Sequence, residues 1–358
     1  MGCDCSGCCV ASLSPLTPPS PPSLPAPLLS PRAPGGQAVV AEGAGRVYLL
    51  PTLSVQSPAT TAPPIAPGFF FYHHIAKTGG TSWSLDIGKL GLLKHCGISH
   101  LVGPSSVHTL NTSLLAAASN RRSPRCNLFN REDNLATSVR VFAPKGIEPK
   151  LILLLRHPIS HVRSLYAHCQ GPTGFLRRQK EQQGTFRPIG FAEWLRLFDG
   201  SNKSRGGWAV GWPYCYYNPS NYQTHLLAAP AGADPNRDGV FPGGRLRVPA
   251  ASLAQLRELL QRQAYFVAVT EHYAASLCLL RTKLSGSTWH EACSAQTQSI
   301  SHIDYGNQAG HTALISEEVL ARIETITRID QLAYAMALER LYTEAQQAGA
   351  SSLMWRRA

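Results

Sequence analysis

Three short apolar runs constrain the fold of this chain more than any other feature. They are Phe69–Ile75, Leu151–Leu155 and Tyr265–Thr270. Short runs that are apolar throughout are typical of strands buried on both faces, because adjacent side chains of a strand point to opposite sides. Helical patterns follow, with predicted helices from the turn after Ile75 to Leu93, from Pro158 to about His168, from Tyr273 to Leu284 and from Ser316 to Gln347. This alternation predicts an α/β fold, a three-layer sandwich with a mostly parallel central sheet.

A glycine-containing turn, Ala76–Ser82 (AKTGGTS), follows the first run. Glycines let the backbone approach an anion closely, and the N-terminus of the following helix offers free N–H groups and a positive dipole end. Lys77 adds a charge, and Thr81 and Ser82 add hydroxyl groups. In nucleotide-hydrolase loops the lysine follows the glycines, whereas here it precedes them. The segment predicts a phosphate-binding loop; the alternative is an ordinary turn with a surface lysine.

A second candidate phosphate contact begins at the end of the Leu151–Leu155 run. Arg156 leaves the predicted strand, and Ser164 lies eight residues later, two turns into the helix that Pro158 begins. A guanidinium fork and a hydroxyl can hold a phosphate. The alternative is an arginine at the sheet edge beside a solvated serine. Ligands of open parallel sheets bind at the carboxyl ends of the strands, where Lys77, Arg156 and Glu271 are all predicted to lie.

Together these segments resemble the PAPS-dependent carbohydrate sulfotransferases of the heparan sulfate 2-O/6-O-sulfotransferase-like type; PAPS is 3′-phosphoadenosine 5′-phosphosulfate. The likeness covers roughly residues 68–345 and includes further stretches at Asn221–Thr224, Phe266–Glu271, Ser276–Leu280 and Asp330–Ala335. Three positions depart from the family pattern: His157 replaces an aspartate, His161 an arginine and Ala268 a glycine.

The resemblance implies a PAPS cofactor, a P-loop-like loop for the phosphosulfate and a carbohydrate O-sulfotransferase activity. The implied cofactor-binding residues are Lys77, Thr78, Gly79, Gly80, Thr81, Ser82, Arg156, Ser164, Ser301 and His302. Lys77 is also expected to be catalytic, because its charge can stabilise the leaving oxygen. No metal is expected, since the cysteines form no zinc-type pattern.

The general base is the hardest residue to assign. The family has a His, or in some branches a Glu, late in the segment between the two phosphate motifs. The corresponding stretch, Cys126–Pro149, has no His but contains Glu132 and Asp133. Upstream lie His95, His100 and His108. Glu132 is the first candidate by position and His108 the second by chemistry, because an unperturbed His titrates near neutral pH. For both residues, a solvated loop position is the alternative. His73 and His74 are expected in the core.

The charge distribution indicates an anionic partner. The net charge of +12 arises entirely within residues 68–358. We expect a glycan acceptor to contact the Gly- and Pro-rich insertion 171–250 and a basic groove. Candidate groove residues are Arg121, Arg122, Arg125, Arg177, Arg178, Lys180 and Arg187. No nucleic-acid-reading module is recognisable. The alternatives are a catalytically silent polyanion- or glycan-binding relative and a P-loop kinase or NTPase.

The N-terminal segment differs in composition from the rest of the chain. Residues 1–67 hold 14 of the 27 prolines and are predicted to form a disordered tail before a sulfotransferase domain at 68–348. Met1–Ser6 fits the N-myristoylation pattern, with cysteines nearby for palmitoylation, which favours a cytosol-facing membrane anchor. The resemblance instead implies the Golgi lumen or membrane, where the sequons at Asn111 and Asn202 are usable. The sequence leaves this conflict open.

Ten cysteines are present, six of them in the predicted domain. An even number permits disulfides, but spacing does not give their connectivity. Cys169, just before the insertion, and Cys215, within it, are one candidate pair.

Overall fold

The computed structural model describes residues 68–98, 126–132, 134–140, 142, 147–170, 189–198, 217–230, 250–294 and 315–350. A five-stranded sheet lies at the centre of this part of the chain, in the order β2-β3-β1-β4-β5. The strands are β1 Phe70–His73, β2 His95–Ile98, β3 Leu128–Arg131, β4 Lys150–Leu155 and β5 Phe266–Val269. Each pairing in this sheet is parallel, which confirms the predicted α/β class.

The apolar runs form the inner strands because both faces of the sheet are covered. All four residues of β1, β3 and β5 are buried, and so are Leu151–Leu155 of β4. Neighbouring strand residues face opposite sides, so each face lies against other parts of the protein. Lys150 opens β4 with its ammonium over the rings of Phe70 and Tyr265, at 5.4 and 5.5 Å from the centroids.

Helices connect the strands and flank the sheet. The described helices are α1 Gly80–Lys89, α2 Leu135–Val139, α3 Pro158–Gln170, α4 Phe191–Arg196, α5 Tyr222–Ala228, α6 Ala250–Glu258, α7 Tyr273–Ser285, α8 Trp289–Ser294, α9 Glu317–Ile326 and α10 Arg328–Gln347. A π-helical turn, Leu259–Gln263, continues α6, and a 3-10 turn, Thr270–His272, precedes α7.

One predicted helix boundary is wrong, and one predicted helical stretch has the expected outer bounds but is divided into two helices. The helix after the glycine turn ends at Lys89 rather than at Leu93, and Gly91 follows it at a φ of 70°. The long C-terminal stretch is two helices, not one. They separate at Thr327, which has a non-helical φ of −110°, and beyond it the amides of Ile329 and Asp330 donate to the Asn221 side chain instead of to a preceding helical turn.

Two disulfides lie within the described residues. Cys96 of β2 is joined to Cys126, which precedes β3, and Cys278 of α7 is joined to Cys293 of α8. The candidate pair of Cys169 and Cys215 involves side chains outside the described part of the chain.

A buried polar lock fixes the end of β4. Asp330 accepts hydrogen bonds from the amide and hydroxyl of Thr224, at 2.8 and 2.6 Å, and from the amide of Gln223 at 3.2 Å. The Asn221 side chain in turn accepts from the amides of Ile329 and Asp330, in the first turn of α10, at 2.8 and 3.2 Å. The Gln223 side chain bonds both the amide and the carbonyl of Arg156, at 2.9 and 2.8 Å. Two of the sequence stretches singled out above therefore position Arg156.

Replacing Asp330 by Asn will weaken this lock. Burial raises the pKa of Asp330 to about 6, so above pH 7 the carboxyl group is ionised and accepts from three donors. An Asn side chain turns an N–H group toward one of those donors and leaves a buried donor unsatisfied. We expect Asp330→Asn to lower the free energy of unfolding by about 2–3 kcal/mol in urea titrations at pH 7.5. The exposed control Glu317→Gln is expected to change it by less than about 0.5 kcal/mol. Equal losses in the two variants would contradict this role.

Candidate active site

The glycine turn after β1 has an unusual backbone conformation. Lys77 has a φ of 65° and Gly79 a φ of 87°. Only glycine adopts positive φ without cost, and non-glycine residues held there are concentrated at functional sites. The Thr78 amide and hydroxyl both donate to the carbonyl of Ile75, at 3.3 and 2.9 Å, which closes the turn.

Gly80 is required for a different reason, a steric one. A Cβ atom at this position would lie 1.8 and 2.1 Å from atoms of the His74 ring and 2.7 Å from the Tyr72 hydroxyl. Buried rings of the first strand and its exit thus pack directly against the start of α1. Both glycines of the KTGG motif are explained by the fold, one by conformation and one by space.

The start of α1 presents amide donors next to this turn. The first intrahelical bond runs from the amide of Trp83 to the carbonyl of Gly79 at 3.0 Å. The amides of Gly80, Thr81 and Ser82 come before it and have no acceptor within the helix. Together with the positive end of the helix dipole, they can bind an anion.

The two predicted phosphate motifs converge at this edge of the sheet. Nη1 of Arg156 donates to the carbonyl oxygen of Lys77 at 3.0 Å. The Thr270 hydroxyl, just after β5, contacts the carbonyls of Thr78 and Leu155. The ends of β1, β4 and β5 are therefore tied together around the turn, as the parallel topology predicts.

The arginines at this edge retain unused hydrogen-bond donors. Nε of Arg156 and Nη2 of Arg163 are buried, with no hydrogen-bond partner among the described residues. Burial is the main cause that lowers the pKa of Arg156, Glu271 opposes this effect, and the charge of Arg163 adds to it. Arg163 is not among the site residues predicted from the sequence. Its place directly before Ser164 is the one sequence feature that could have indicated a role in phosphate binding. The sequence does not show which face of α3 meets the edge of the sheet.

The histidines of α3 show which face of the helix meets the turn. Nε2 of His161 lies 2.8 Å from the carbonyl of Ala76, and Nδ1 of His168 lies 3.3 Å from Nζ of Lys77. These residues are seven positions apart, so both point from one helix face. Ser164, half-buried, lies between them on that face. The structure thus brings the predicted Ser164 toward the turn.

Glu271 acts here as a backbone anchor. Its two carboxylate oxygens each lie 3.0 Å from the amide of His157, the residue after Arg156. The Tyr334 hydroxyl also bonds Glu271, and the His157 ring packs edge-on to Tyr334 at 5.1 Å. The segment that leaves β4 is therefore held from both α10 and the end of β5.

Glu132 follows β3 directly and interacts electrostatically with Lys77. Burial raises the pKa of Glu132 to about 7, although the Lys77 charge lowers it. Burial also lowers the pKa of Lys77, with Arg156 adding to the effect and Glu132 opposing it. A carboxyl group with this pKa is suited to take up and release a proton near neutral pH.

The remaining candidate residues either lie in the core or belong to segments that the structure does not describe. His108, Asp133, His100, Ser301 and His302, with the candidate basic groove, lie outside the described part of the chain. His73 and His74 are buried, in agreement with the core interpretation. His95 contacts the carbonyl of Ser84 through Nε2 at 2.7 Å, which is a structural contact between β2 and α1.

Comparison with models of known protein families and with curated proteins found no match for this chain. Over the described ranges, no group of three or more His, Cys, Asp or Glu side chains is arranged to hold a metal ion. No helix in the same ranges has both the length and the apolar character needed to cross a membrane.

The raised pKa of Glu132 predicts a pH-dependent stability. The folded carboxyl group keeps its proton up to about pH 7, whereas a carboxyl with the ordinary value of 4.5 loses it earlier. The folded state is therefore increasingly disfavoured as the pH rises from about 4.5 to about 7, by up to about 3 kcal/mol. We expect Glu132→Gln to gain stability relative to the wild type across this window in urea titrations.

The variant Glu148→Gln removes an exposed carboxylate and controls for the change in net charge. If the unfolding free energies of wild type and Glu132→Gln stay parallel from pH 4.5 to 7.5, the carboxyl group of Glu132 has an ordinary environment and the interpretation is wrong.

Proposed function

We propose that this protein is a PAPS-dependent carbohydrate O-sulfotransferase, which transfers a sulfuryl group from PAPS to a hydroxyl of a glycan. The observation that carries the proposal is the convergence of the lysine-led glycine turn with Arg156, whose guanidinium reaches the Lys77 carbonyl while its own Nε stays without a partner among the described residues. Buried cationic donors without acceptors favour an anionic ligand.

The finer architecture belongs to the same proposal. A three-layer sandwich with a P-loop-like phosphosulfate loop is supported by the burial of both sheet faces and by the turn between β1 and α1. In nucleotide hydrolases the lysine follows the glycines and a strand-end aspartate serves the metal. Here the lysine precedes them, and the acidic residue after β5, Glu271, is engaged with the His157 amide. These features favour a sulfotransferase over a kinase or NTPase.

The residues present fit the two phosphate groups of PAPS. The amides of Gly80, Thr81 and Ser82 would hold the 5′-phosphate together with Lys77, and the resemblance adds Thr78 and Gly79 to this loop. Arg156, Ser164 and Arg163 would hold the 3′-phosphate. Ser301 and His302 remain proposed contacts to the nucleoside end. When bound, PAPS would supply a sulfuryl group on a phosphate leaving group.

Within this site, each protein group has a distinct task. The Lys77 ammonium stabilises negative charge that develops beside the turn. Glu132, with a pKa of about 7, is the proposed base that accepts the proton of the attacking hydroxyl. His108 is the second candidate for that task. The guanidinium groups fix orientation and do not exchange protons at neutral pH.

The disulfides support a lumenal location such as the Golgi. Bonds such as Cys96–Cys126 and Cys278–Cys293 persist in oxidising compartments and are rare in the cytosol. The acylation pattern at the N-terminus favours the opposite, cytosol-facing arrangement. We therefore propose the lumenal location and treat a cytosol-facing anchor as the alternative.

The disulfide state of the native protein tests this choice. Protein recovered from its source cells is treated with an alkylating agent before any reduction, digested, and analysed by mass spectrometry. We expect a disulfide-linked peptide pair containing Cys96 and Cys126, because an oxidising lumen preserves the bond. Quantitative alkylation of both cysteines would instead place the folded protein in a reducing compartment.

Sulfate transfer tests the activity itself. We expect labelled sulfate to pass from PAPS to at least one member of a glycan panel, and Lys77→Ala to reduce the rate by 100-fold or more, on the order of the loss of a transition-state donor. Lys94→Ala removes an exposed lysine and is expected to retain the wild-type rate. Arg163→Gln is expected to weaken binding of 3′-phosphoadenosine 5′-phosphate roughly ten-fold by calorimetry.

Absence of both transfer and nucleotide binding in the wild type would reject the proposal. Binding of ATP with Mg²⁺ would indicate a kinase or NTPase. Salt-sensitive binding of polyanions that does not require Lys77 would indicate a catalytically silent relative.

A further inference from the structure

The Lys77 side chain is held by a histidine that the proposed function does not use. Nζ of Lys77 lies 3.3 Å from Nδ1 of His168, near the end of α3. An ammonium group can only donate, so Nδ1 must be the unprotonated acceptor and the ring proton must be on Nε2. The contact therefore requires a neutral imidazole of one defined tautomer.

The surroundings of His168 keep it neutral. Burial lowers its pKa to about 4, and the Lys77 charge adds to the effect. At neutral pH, the ring is therefore available as an acceptor. Its position is fixed by Tyr217, whose ring centroid lies 5.9 Å away and which packs edge-on against Tyr222 at the start of α5. The acceptor is thus supported by the same helix that carries the Gln223–Asp330 lock.

The other charged groups that act on Lys77 come from different elements. Glu132, after β3, attracts the ammonium and Arg156, after β4, repels it. His168 supplies a directional contact that does not depend on the ionisation state of Glu132. An ammonium has three N–H groups, so a bond to His168 leaves two for a ligand. A lysine otherwise loses considerable side-chain entropy when it is held in one position.

From this geometry we infer that His168 is a positioning residue, which holds the Lys77 ammonium beside the glycine turn before any ligand binds. The inference rests on the proposed function for its kinetic consequence, because Lys77 is there the group that stabilises the leaving oxygen. Fixing it in advance lowers the reorganisation required during the reaction. The contact itself is independent of the reaction that the site carries out.

The contact is tested without any donor substrate. In the full chain labelled with ¹⁵N-histidine, we expect His168 to give the signature of a neutral Nε2–H tautomer at pH 7. Lys77→Met removes the charge but keeps the volume, and is expected to raise the pKa of His168 in an NMR titration. A His168 resonance whose tautomer and titration are the same in Lys77→Met and wild type would overturn the inference.

The kinetic role is tested with two matched variants. His168→Phe keeps a ring against Tyr217 but removes the acceptor, whereas His168→Asn keeps an acceptor oxygen near the position of Nδ1. We expect His168→Phe to lower kcat about ten-fold with the KM for PAPS changed less than about three-fold, and His168→Asn to recover most of that loss. Thermal unfolding of both variants checks that they fold alike.

A double-mutant cycle separates positioning from a general structural effect. We expect Lys77→Ala with His168→Phe to be no slower than Lys77→Ala alone, because the histidine acts only through the lysine. Full additivity, or equal losses in the Phe and Asn variants, would overturn the positioning role. If the wild type transfers no sulfate, the proposed function fails, and the NMR titration still decides whether His168 holds Lys77.

Discussion

The hydrogen bond from Arg156 to the Lys77 carbonyl is the interaction on which the candidate site depends. Arg156 offers a side chain to the turn after β1, while Gln223 holds its backbone amide and carbonyl and Glu271 holds the next amide. The strand end is therefore fixed before the guanidinium meets the turn. Because the Lys77 backbone has a positive φ, the turn needs such external support to keep its conformation. The polar lock around Asp330 therefore helps to position Arg156, the arginine of the candidate site, through Gln223.

The same arrangement brings positive charges together, which lowers the stability of the folded state. Lys77, Arg156 and Arg163 lie at one edge of the sheet, and burial disfavours the charged forms of Lys77 and Arg156, as their lowered pKa values indicate. Glu271 and Glu132 offset this only in part, since burial raises the pKa of each carboxyl as well. An anionic ligand bound at this edge would offset the remainder and would stabilise the folded protein. Incompletely compensated buried charge lowers the stability of the folded state, and such local costs are common at functional sites.

Much of this could be predicted from the sequence, and the failures have physical causes. The apolar runs identified β1, β4 and β5, because a strand that is buried on both faces has apolar residues at consecutive positions. The strands β2 and β3 were missed because neither forms a continuous apolar run: the Asn130 side-chain amide in β3 donates to the Ser84 hydroxyl, a partner that no local pattern reveals. The meeting of Lys77 and Arg156 followed from parallel topology alone. The positions of Arg163 and His168 at the site could not be predicted in this way, because packing sets the rotation of α3 about its axis.

Two of the positions at which this chain departs from the sulfotransferase pattern that it resembles, His157 and His161, can be explained by their charges. The resembled family has an acid after the phosphate arginine and a base before the helical serine, and this chain has His157 and His161 at those positions. Losing one charge of each sign leaves the net charge beside the arginine unchanged. Burial lowers the pKa of both histidines, that of His161 to about 3, so they act as neutral groups. His161 then uses its Nε2 proton to hold the Ala76 carbonyl, and His157 packs on Tyr334. The neutral imidazole of His161 thus holds the turn without adding to the positive charge of Lys77, Arg156 and Arg163, and the neutral His157 ring adds none either.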